Sequence, residues 1–322
     1  MSINALTWGE FFGGIILLFV GGEILVRGSV MIARKMGVSP LLIGATVVAF
    51  GTSAPELVVS ISAAAQGVVD IAIGNVLGSN LANLLLILGI TVILCPIFVN
   101  RRSVSRELLS LGLATCLVTG LAFIDILPRY AGILMVLALS GYVAYSYWSE
   151  SSKQSIGSGY KQDTYSRNIV EQTKGSFWFG GALLVSGIAG VVIGAYFLVE
   201  SGTTIARAAG ISEAVIGLTV VAFGTSLPEL VTSLVAAIKR HGDVALGNIL
   251  GSSLFNILGI LGAVAIVQPA PIPSEIRDLD VWVVLGATTL VLLIIFSGWR
   301  LGRVIGLFLI AIYSLYVIHH YV

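Results

Sequence analysis

A thirteen-residue stretch occurs twice in this chain, first as Gly44-Ala-Thr-Val-Val-Ala-Phe-Gly-Thr-Ser-Ala-Pro-Glu56 and again as Gly217-Leu-Thr-Val-Val-Ala-Phe-Gly-Thr-Ser-Leu-Pro-Glu229. Each copy sets a helix-breaking proline, Pro55 or Pro228, and an ionisable glutamate, Glu56 or Glu229, inside a run otherwise apolar enough to cross a bilayer. A charge at the centre of a membrane helix costs roughly 2.5–3.5 kcal/mol on insertion scales. Residues this costly persist where something uses them. The repeated stretch therefore restricts the chain to folds in which two broken, charged helices serve a common task.

The setting of those stretches comes from composition. Hydrophobic residues make up 57% of the chain, charged residues only 10%, and the mean hydropathy is +1.02, whereas a soluble domain carries about 25% charge. The chain reads as an all-α polytopic membrane protein with lipid as its surroundings. A net charge of +1 offers no basic field for nucleic acid, which is excluded as a partner. Cys95 and Cys116 lie in apolar segments without metal-type spacing and read as packing residues. Met1 to Glu10 lacks the basic start of a cleavable signal, so the first apolar segment is expected to be retained.

Apolar stretches of about 20 residues, the length that spans a bilayer core, can be placed ten times. The expected spans are 10–35, 39–66, 71–95, 104–124, 130–149, 176–208, 213–239, 244–267, 279–297 and 301–320. Ser149 to Gly175 is the one long polar connection and reads as a flexible linker. It divides the chain into residues 1–149, a linker 150–175, and residues 176–322. With ten spans, one side of the membrane receives Arg27, Arg34, Lys35, Arg101, Arg102, Arg106, the linker cations Lys153, Lys161, Arg167 and Lys174, then Lys239, Arg240, Arg300 and Arg303. The other side keeps only Arg129, Arg207 and Arg277 of the 17 lysines and arginines. The cation-rich side, with the linker, is expected to be cytoplasmic and both termini outside.

The two halves correspond at a constant offset of 173 residues without a gap: Ala33-Arg34 answers Ala206-Arg207, Glu56 answers Glu229, Asp70 answers Asp243, Gly74-Asn75 answers Gly247-Asn248, and Pro96 answers Pro269. Five spans is an odd number, so the second half must enter the membrane from the opposite side. Two inverted five-helix repeats with interrupted helices are the mark of a secondary transporter whose site lies near the midplane.

The chemistry of the stretch fits that role. Proline has no N–H, so Pro55 deprives the Gly51 carbonyl of its helical partner and Pro228 does the same to Gly224. Thr52, Glu56 and Ser60 share one helical face, as do Thr225, Glu229 and Ser233, with Ser53 and Ser226 one step round. A second repeated motif, Gly74-Asn75 through Ser79 to Asn83, and Gly247-Asn248 through Ser252 to Asn256, puts another polar stripe on each facing helix. Its glycines, Gly74, Gly78, Gly247 and Gly251, are spaced to let helices approach closely. Hard cations such as Na⁺ and Ca²⁺ prefer these carboxylate, carbonyl and hydroxyl oxygens. A lone polar residue in a membrane helix is more often interhelical glue than a ligand; two Glu, two Pro breaks and four stripes at matched positions point instead to a cation site. Among other acids, Glu23 is expected to pair with Arg27 four residues on, and Asp70 and Asp243 to cap helices.

These residues closely resemble the two alpha-repeats of the sodium/calcium exchanger family, of the calcium/cation antiporter superfamily and the prokaryotic type, over essentially the whole chain. The resemblance implies antiport of Na⁺ against Ca²⁺ across the cell membrane by alternating access, three Na⁺ per Ca²⁺, with no enzyme activity and no cofactor beyond the transported ions. It implies that Glu56 and Glu229, with backbone oxygens of Thr52 and Thr225, hold Ca²⁺. Ser53, Ser79, Ser226 and Ser252, with the carbonyls of Ala49 and Ala222, would complete Na⁺ sites; Asn83 and Asn256 would line the middle. The first and sixth spans are implied to slide as a gating bundle. The chain departs from the commonest pattern at Asn256, where many members carry Asp, which leaves coupling to H⁺ or K⁺ as an alternative. The linker lacks large regulatory domains, so regulation by Ca²⁺ through it is not expected. An intramembrane protease would need an aspartyl dyad in its own motifs, and a channel would pass Ca²⁺ without a countertransported ion.

Overall fold

The computed structural model describes residues 5–124, 126–155, 176–209, 222–274 and 276–321. The described residues are helical almost throughout. In order the helices are α1 (Ala5–Met36), α2 (Pro40–Thr52), α3 (Ala54–Ala65), α4 (Val69–Leu94), α5 (Arg101–Leu121), α6 (Arg129–Ser155), α7 (Phe177–Ala208), α8 (Ala222–Thr225), α9 (Leu227–Ile238), α10 (Gly242–Val267), α11 (Ile276–Ser297) and α12 (Arg303–Tyr321). Most of the linker and the first part of the seventh expected span, residues 213–221, lie outside the described residues. Helix α6 runs to Ser155, past the expected linker start, because Glu150 near its end is held by Arg106 at 2.8 Å.

Among the described residues seven helices are long and apolar enough to cross a membrane, and the bent pair α2–α3 makes an eighth such unit. Leu113, Leu137, Val185, Leu293 and Val304 are each more than half exposed, surface that lipid tails cover without penalty. The helix ends follow local rules. Ser39 caps α2 by accepting from the Leu42 N–H at 3.1 Å, with Pro40 in the first turn, and Gly37 ends α1 at φ +68°, a left-handed conformation natural to glycine. Gly67 takes the same conformation between α3 and α4, and 173 residues on it is Arg240 that does so, at φ 62°.

Helices α1 and α7 pack against each other along much of their length. A Cβ at Gly14 would fall 2.9 Å from the Gly194 carbonyl oxygen, one at Gly21 2.7 Å from the Val191 nitrogen, and one at Gly28 2.5 Å from the Leu184 nitrogen. One series rises as the other falls, so the helices are antiparallel. Glycines spaced by seven keep the same seam facing the partner over several turns. At 32 residues each, these helices are about 48 Å long, well beyond a hydrocarbon core of about 30 Å, and they must tilt or project.

Contacts between chain turns sort into two groups. On one side Ile97 bridges Leu301, Arg101 donates to the Ser297 carbonyl at 2.9 Å, and Glu150 accepts from the Ser39 N–H at 2.7 Å. On the other, the two-residue strands β1 (Ile126–Leu127) and β2 (Ala270–Pro271) pair antiparallel, and Arg129 reaches the Val267 carbonyl. Between the groups Thr115 and Thr288, 173 residues apart, touch hydroxyl to hydroxyl at 3.3 Å.

Candidate functional site

The site is built on two helix breaks. Helix α2 stops at Thr52, Ser53 leaves helical geometry at φ −83° and ψ 9°, and α3 restarts with Pro55 in its first turn, bent by 48°. The second break repeats it: α8 stops at Thr225, Ser226 sits at φ −89° and ψ 4°, and α9 restarts with Pro228. Proline is tolerated in a first turn, where its missing N–H is not needed. Each break leaves the glutamate in that first turn.

The breaks face each other and exchange side chains. Ser53 donates to Glu229 Oε1 at 2.7 Å, and Ser226 donates to Glu56 Oε1 at 3.2 Å. Both glutamates are 1% exposed. Each thus takes its hydroxyl donor from the other half of the chain. The second carboxylate oxygens, Oε2 of Glu56 and of Glu229, are buried without a hydrogen-bond partner among the described residues, and so are Asn83 Oδ1, Asn256 Oδ1 and Ser252 Oγ. Leaving one such group unsatisfied costs about 1–3 kcal/mol, more if it is charged. These five orphaned oxygens are of the kind that a hard cation satisfies and a hydrocarbon core does not.

The facing helices differ from a straight stripe. Asn83 lies in a wide π turn of α4, Ala82–Ile87, and Asn256 in one of α10, Phe255–Leu261; such turns accompany functional sites. Asn75 Nδ2 donates to the Glu56 carbonyl at 3.3 Å and to Ser60 Oγ at 2.9 Å, and Asn248 Nδ2 to the Glu229 carbonyl at 3.3 Å and Ser233 Oγ at 3.0 Å. Ser60 and Ser233 therefore serve the two asparagines. Helix α10 meets α2 backbone to backbone, since a Cβ at Gly247 would lie 2.3 Å from the Leu41 carbonyl oxygen and one at Gly251 2.4 Å from Ala45 Cα. Nothing among the described residues comes within 4 Å of a Cβ at Gly74 or Gly78.

Of the twelve expected site residues, Thr52, Ser53, Glu56, Ser79, Asn83, Ser226, Glu229, Ser252 and Asn256 are all buried. Thr225 is half-buried at the second break. The Ala49 carbonyl faces the first break, where it accepts from the Ser53 N–H at 3.0 Å; Ala222 starts α8. Glu23 pairs with Arg27 as expected and also with Lys239 at 3.0 Å. The cap expectation is corrected: Val68 and His241 are the cap residues of α4 and α10, and Asp70 and Asp243 sit two residues further on, in the first turn, where a carboxylate complements the helix dipole. The backbone grip of Asn75 and Asn248 escaped the sequence reading, which saw only the polarity of their stripe.

Apolar helices broken where two buried carboxylates meet are the architecture of an integral membrane transporter. A family model described as sodium/calcium exchanger protein matches residues 6–148 and 179–322. The chain belongs to the sodium/calcium exchanger family, and so to the cation antiporters rather than the enzymes. It is 33% identical to sodium/calcium exchanger MaX1 of Methanosarcina acetivorans and 35% identical to the uncharacterized membrane protein MJ0091 of Methanocaldococcus jannaschii, over 95% of both chains in each case. A solved structure of the sodium-calcium exchanger NCX_Mj, soaked with zero Na⁺ and Ca²⁺, superposes with a TM-score of 0.83 at 32% identity, covering 97% of this chain and 98% of that one.

Proposed function

We propose that this protein exchanges Na⁺ for Ca²⁺ by alternating access, three Na⁺ per Ca²⁺, at one central site between two inverted five-helix repeats. The observation that carries the reading is the reciprocal pair of bonds, Ser53 to Glu229 and Ser226 to Glu56, which leaves one oxygen of each buried carboxylate open. Glu56 and Glu229, with backbone oxygens of Thr52 and Thr225, take Ca²⁺. Ser53, Ser79, Ser226 and Ser252, with the carbonyls of Ala49 and Ala222, serve Na⁺, and Asn83 and Asn256 line the middle.

The repeat division, residues 1–149 and 176–322 about a linker 150–175, is supported by contacts that recur at the 173-residue offset, by the Thr115–Thr288 contact between equivalent positions, and by the family match falling into two blocks. Ten spans with the linker cytoplasmic and both termini outside are supported by the sorting of turn contacts into two groups, the cation-rich turns at Ser39, Arg101 and Ser297 sharing one of them.

The test is Ca²⁺ efflux from loaded proteoliposomes under an opposing Na⁺ gradient, a pH gradient, a K⁺ gradient, or none of these. Na⁺-driven efflux is expected. Two carboxylates balance one Ca²⁺ and leave one charge over when three Na⁺ bind, so the rate should respond to imposed voltage at about 2.3 kcal/mol per charge per 100 mV; an unchanged rate refutes the three-for-one reading. Coupling to H⁺ or K⁺ is the second reading, favoured by Asn256, which leaves two carboxylates at the centre. Efflux that follows the pH or K⁺ gradient and ignores Na⁺ selects it, and efflux with no gradient selects a channel.

A further inference from the structure

Thr52 has one hydroxyl proton and two acceptors at hydrogen-bond distance, Asn248 Oδ1 of α10 at 3.1 Å and the Ala49 carbonyl of its own helix at 3.3 Å, with the Glu229 carboxylate also nearby. A hydroxyl donates one hydrogen bond at a time, so the two are alternatives. The orientation of the Asn248 amide follows from its other contacts. The Glu229 carbonyl can only accept, which fixes Nδ2 toward α9 and Oδ1 toward Thr52. Asn248 is fully buried and so cannot turn outward to water.

We infer that Asn248 is a positioning residue of the exchange site, which draws the Thr52 hydroxyl away from the Ala49 carbonyl and so keeps a lone pair of that carbonyl available to Na⁺. The inference rests on the proposed role of the Ala49 carbonyl as a Na⁺ ligand. With Asn248 in place, the Ala49 carbonyl retains the Ser53 N–H at 3.0 Å and one further lone pair. Without it, the acceptors left to the buried Thr52 hydroxyl are the Ala49 carbonyl and the Glu229 carboxylate, both of them ligands in the proposed site, and a cation has to displace that bond before it binds. The same amide holds the Glu229 carbonyl and Ser233, so one side chain sets both the carboxylate of one half and the free carbonyl of the other.

The experiment measures half-saturating Na⁺ and Ca²⁺ by calorimetry on the purified full chain, and in parallel the Na⁺-driven Ca²⁺ flux in proteoliposomes. Four proteins are compared: the parent, Asn248→Ala, Thr52→Ser, and Asn248→Ala combined with Thr52→Val. Asn248→Ala should raise half-saturating Na⁺ about tenfold. Thr52→Ser keeps the hydroxyl and should shift half-saturating Na⁺ by less than Asn248→Ala does. The double variant has no hydroxyl to occupy Ala49, so its Na⁺ affinity should recover at least half of the loss on a logarithmic scale. A purely structural role for Asn248 lowers the amount of active protein and leaves half-saturation unchanged, which overturns the inference, as does a double variant no better than Asn248→Ala. If Asn248→Ala fails to fold, Asn248→Ser and its Thr52→Val double replace it under the same criteria. A parent that binds no Na⁺ refutes the proposed function in the parent data alone, and the inference with it; a parent that binds Na⁺ beside unshifted variants refutes the inference only.

Discussion

Replacing Gly251 by alanine tests whether the approach of α10 to α2 sets the site. A Cβ there would lie 2.4 Å from both Cα and the carbonyl oxygen of Ala45. Ordinary contact begins near 3.4 Å, and the obstacle is backbone, so the helices must part by about 1 Å. Overpacking of this kind costs about 1–3 kcal/mol, and alanine returns up to about 1 kcal/mol of helix propensity. A net destabilisation of about 1–2 kcal/mol is expected. The functional consequence is larger, because α10 carries Asn248, Ser252 and Asn256 while α2 carries Thr52. Parting by about 1 Å takes the 3.1 Å bond between Thr52 and Asn248 beyond hydrogen-bond range. Gly251→Ala should lower the melting temperature in detergent and reduce Na⁺-driven Ca²⁺ flux at least tenfold. Gly141→Ala is the control: nothing among the described residues lies within 4 Å of a Cβ at Gly141, so stability should hold or rise. A Gly251→Ala protein that melts with the parent and exchanges normally refutes the packing argument.

Glu56→Gln and Glu229→Gln should each abolish Ca²⁺ flux while the protein stays folded, since the amide also removes a buried charge; near-parent flux in either variant removes that carboxylate from the site. Glu150→Ala should destabilise the fold by about 1–3 kcal/mol, read as a fall in melting temperature, because Glu150 holds both the Ser39 cap of α2 and Arg106, which otherwise pairs with buried Glu107; an unchanged melt refutes this. Burial and, second, the nearby Arg34 hold His241 below its ordinary value of 6.5. Its contribution is complete above that value and is lost as pH falls, when the unfolded chain takes the proton more readily. His241→Gln should therefore flatten the decline of melting temperature on acidification, and parallel pH curves for the two proteins would argue against it.

The parts of this site legible in the sequence are those fixed by covalent chemistry. Proline lacks an N–H wherever it stands, so the breaks at Ser53 and Ser226 followed from Pro55 and Pro228. Helix boundaries came within a few residues where capping residues or left-handed glycines mark them, as at Ser39 and Gly37. What escaped depends on the partner chosen across space. Nothing in Asn248 itself tells that its amide holds the Glu229 carbonyl. The wide turns around Asn83 and Asn256 have no composition of their own, although they occupy equivalent positions. Gly14, Gly21 and Gly28 did leave a trace, a spacing of seven, whose meaning needs the partner helix to be known. Arg240 shows the opposite case, a left-handed position that its residue type would never indicate.

The reciprocity of the site bears on how the proposed alternating access would work. Ser53 serves Glu229 and Ser226 serves Glu56, so displacing either break alone would strip a donor from each carboxylate, a loss of about 1.5–3 kcal/mol per bond. The two breaks are better moved together or held still. Helices α1 and α7 are joined through glycine backbones and form a second stiff unit. Where this pair meets the breaks, the contact is of another kind: a Cβ at Gly51 would meet the side chain of Ile188, and one at Gly224 the side chain of Val199. Side chains rotate where backbones cannot. The ionic tie from α1, Glu23 to Lys239 at the end of α9, is about half exposed at its lysine, and exposed pairs contribute only about 0–1 kcal/mol. The softest contacts of the bundle thus lie between the α1–α7 pair and the breaks, which is where the sliding that the family resemblance implies would meet least resistance.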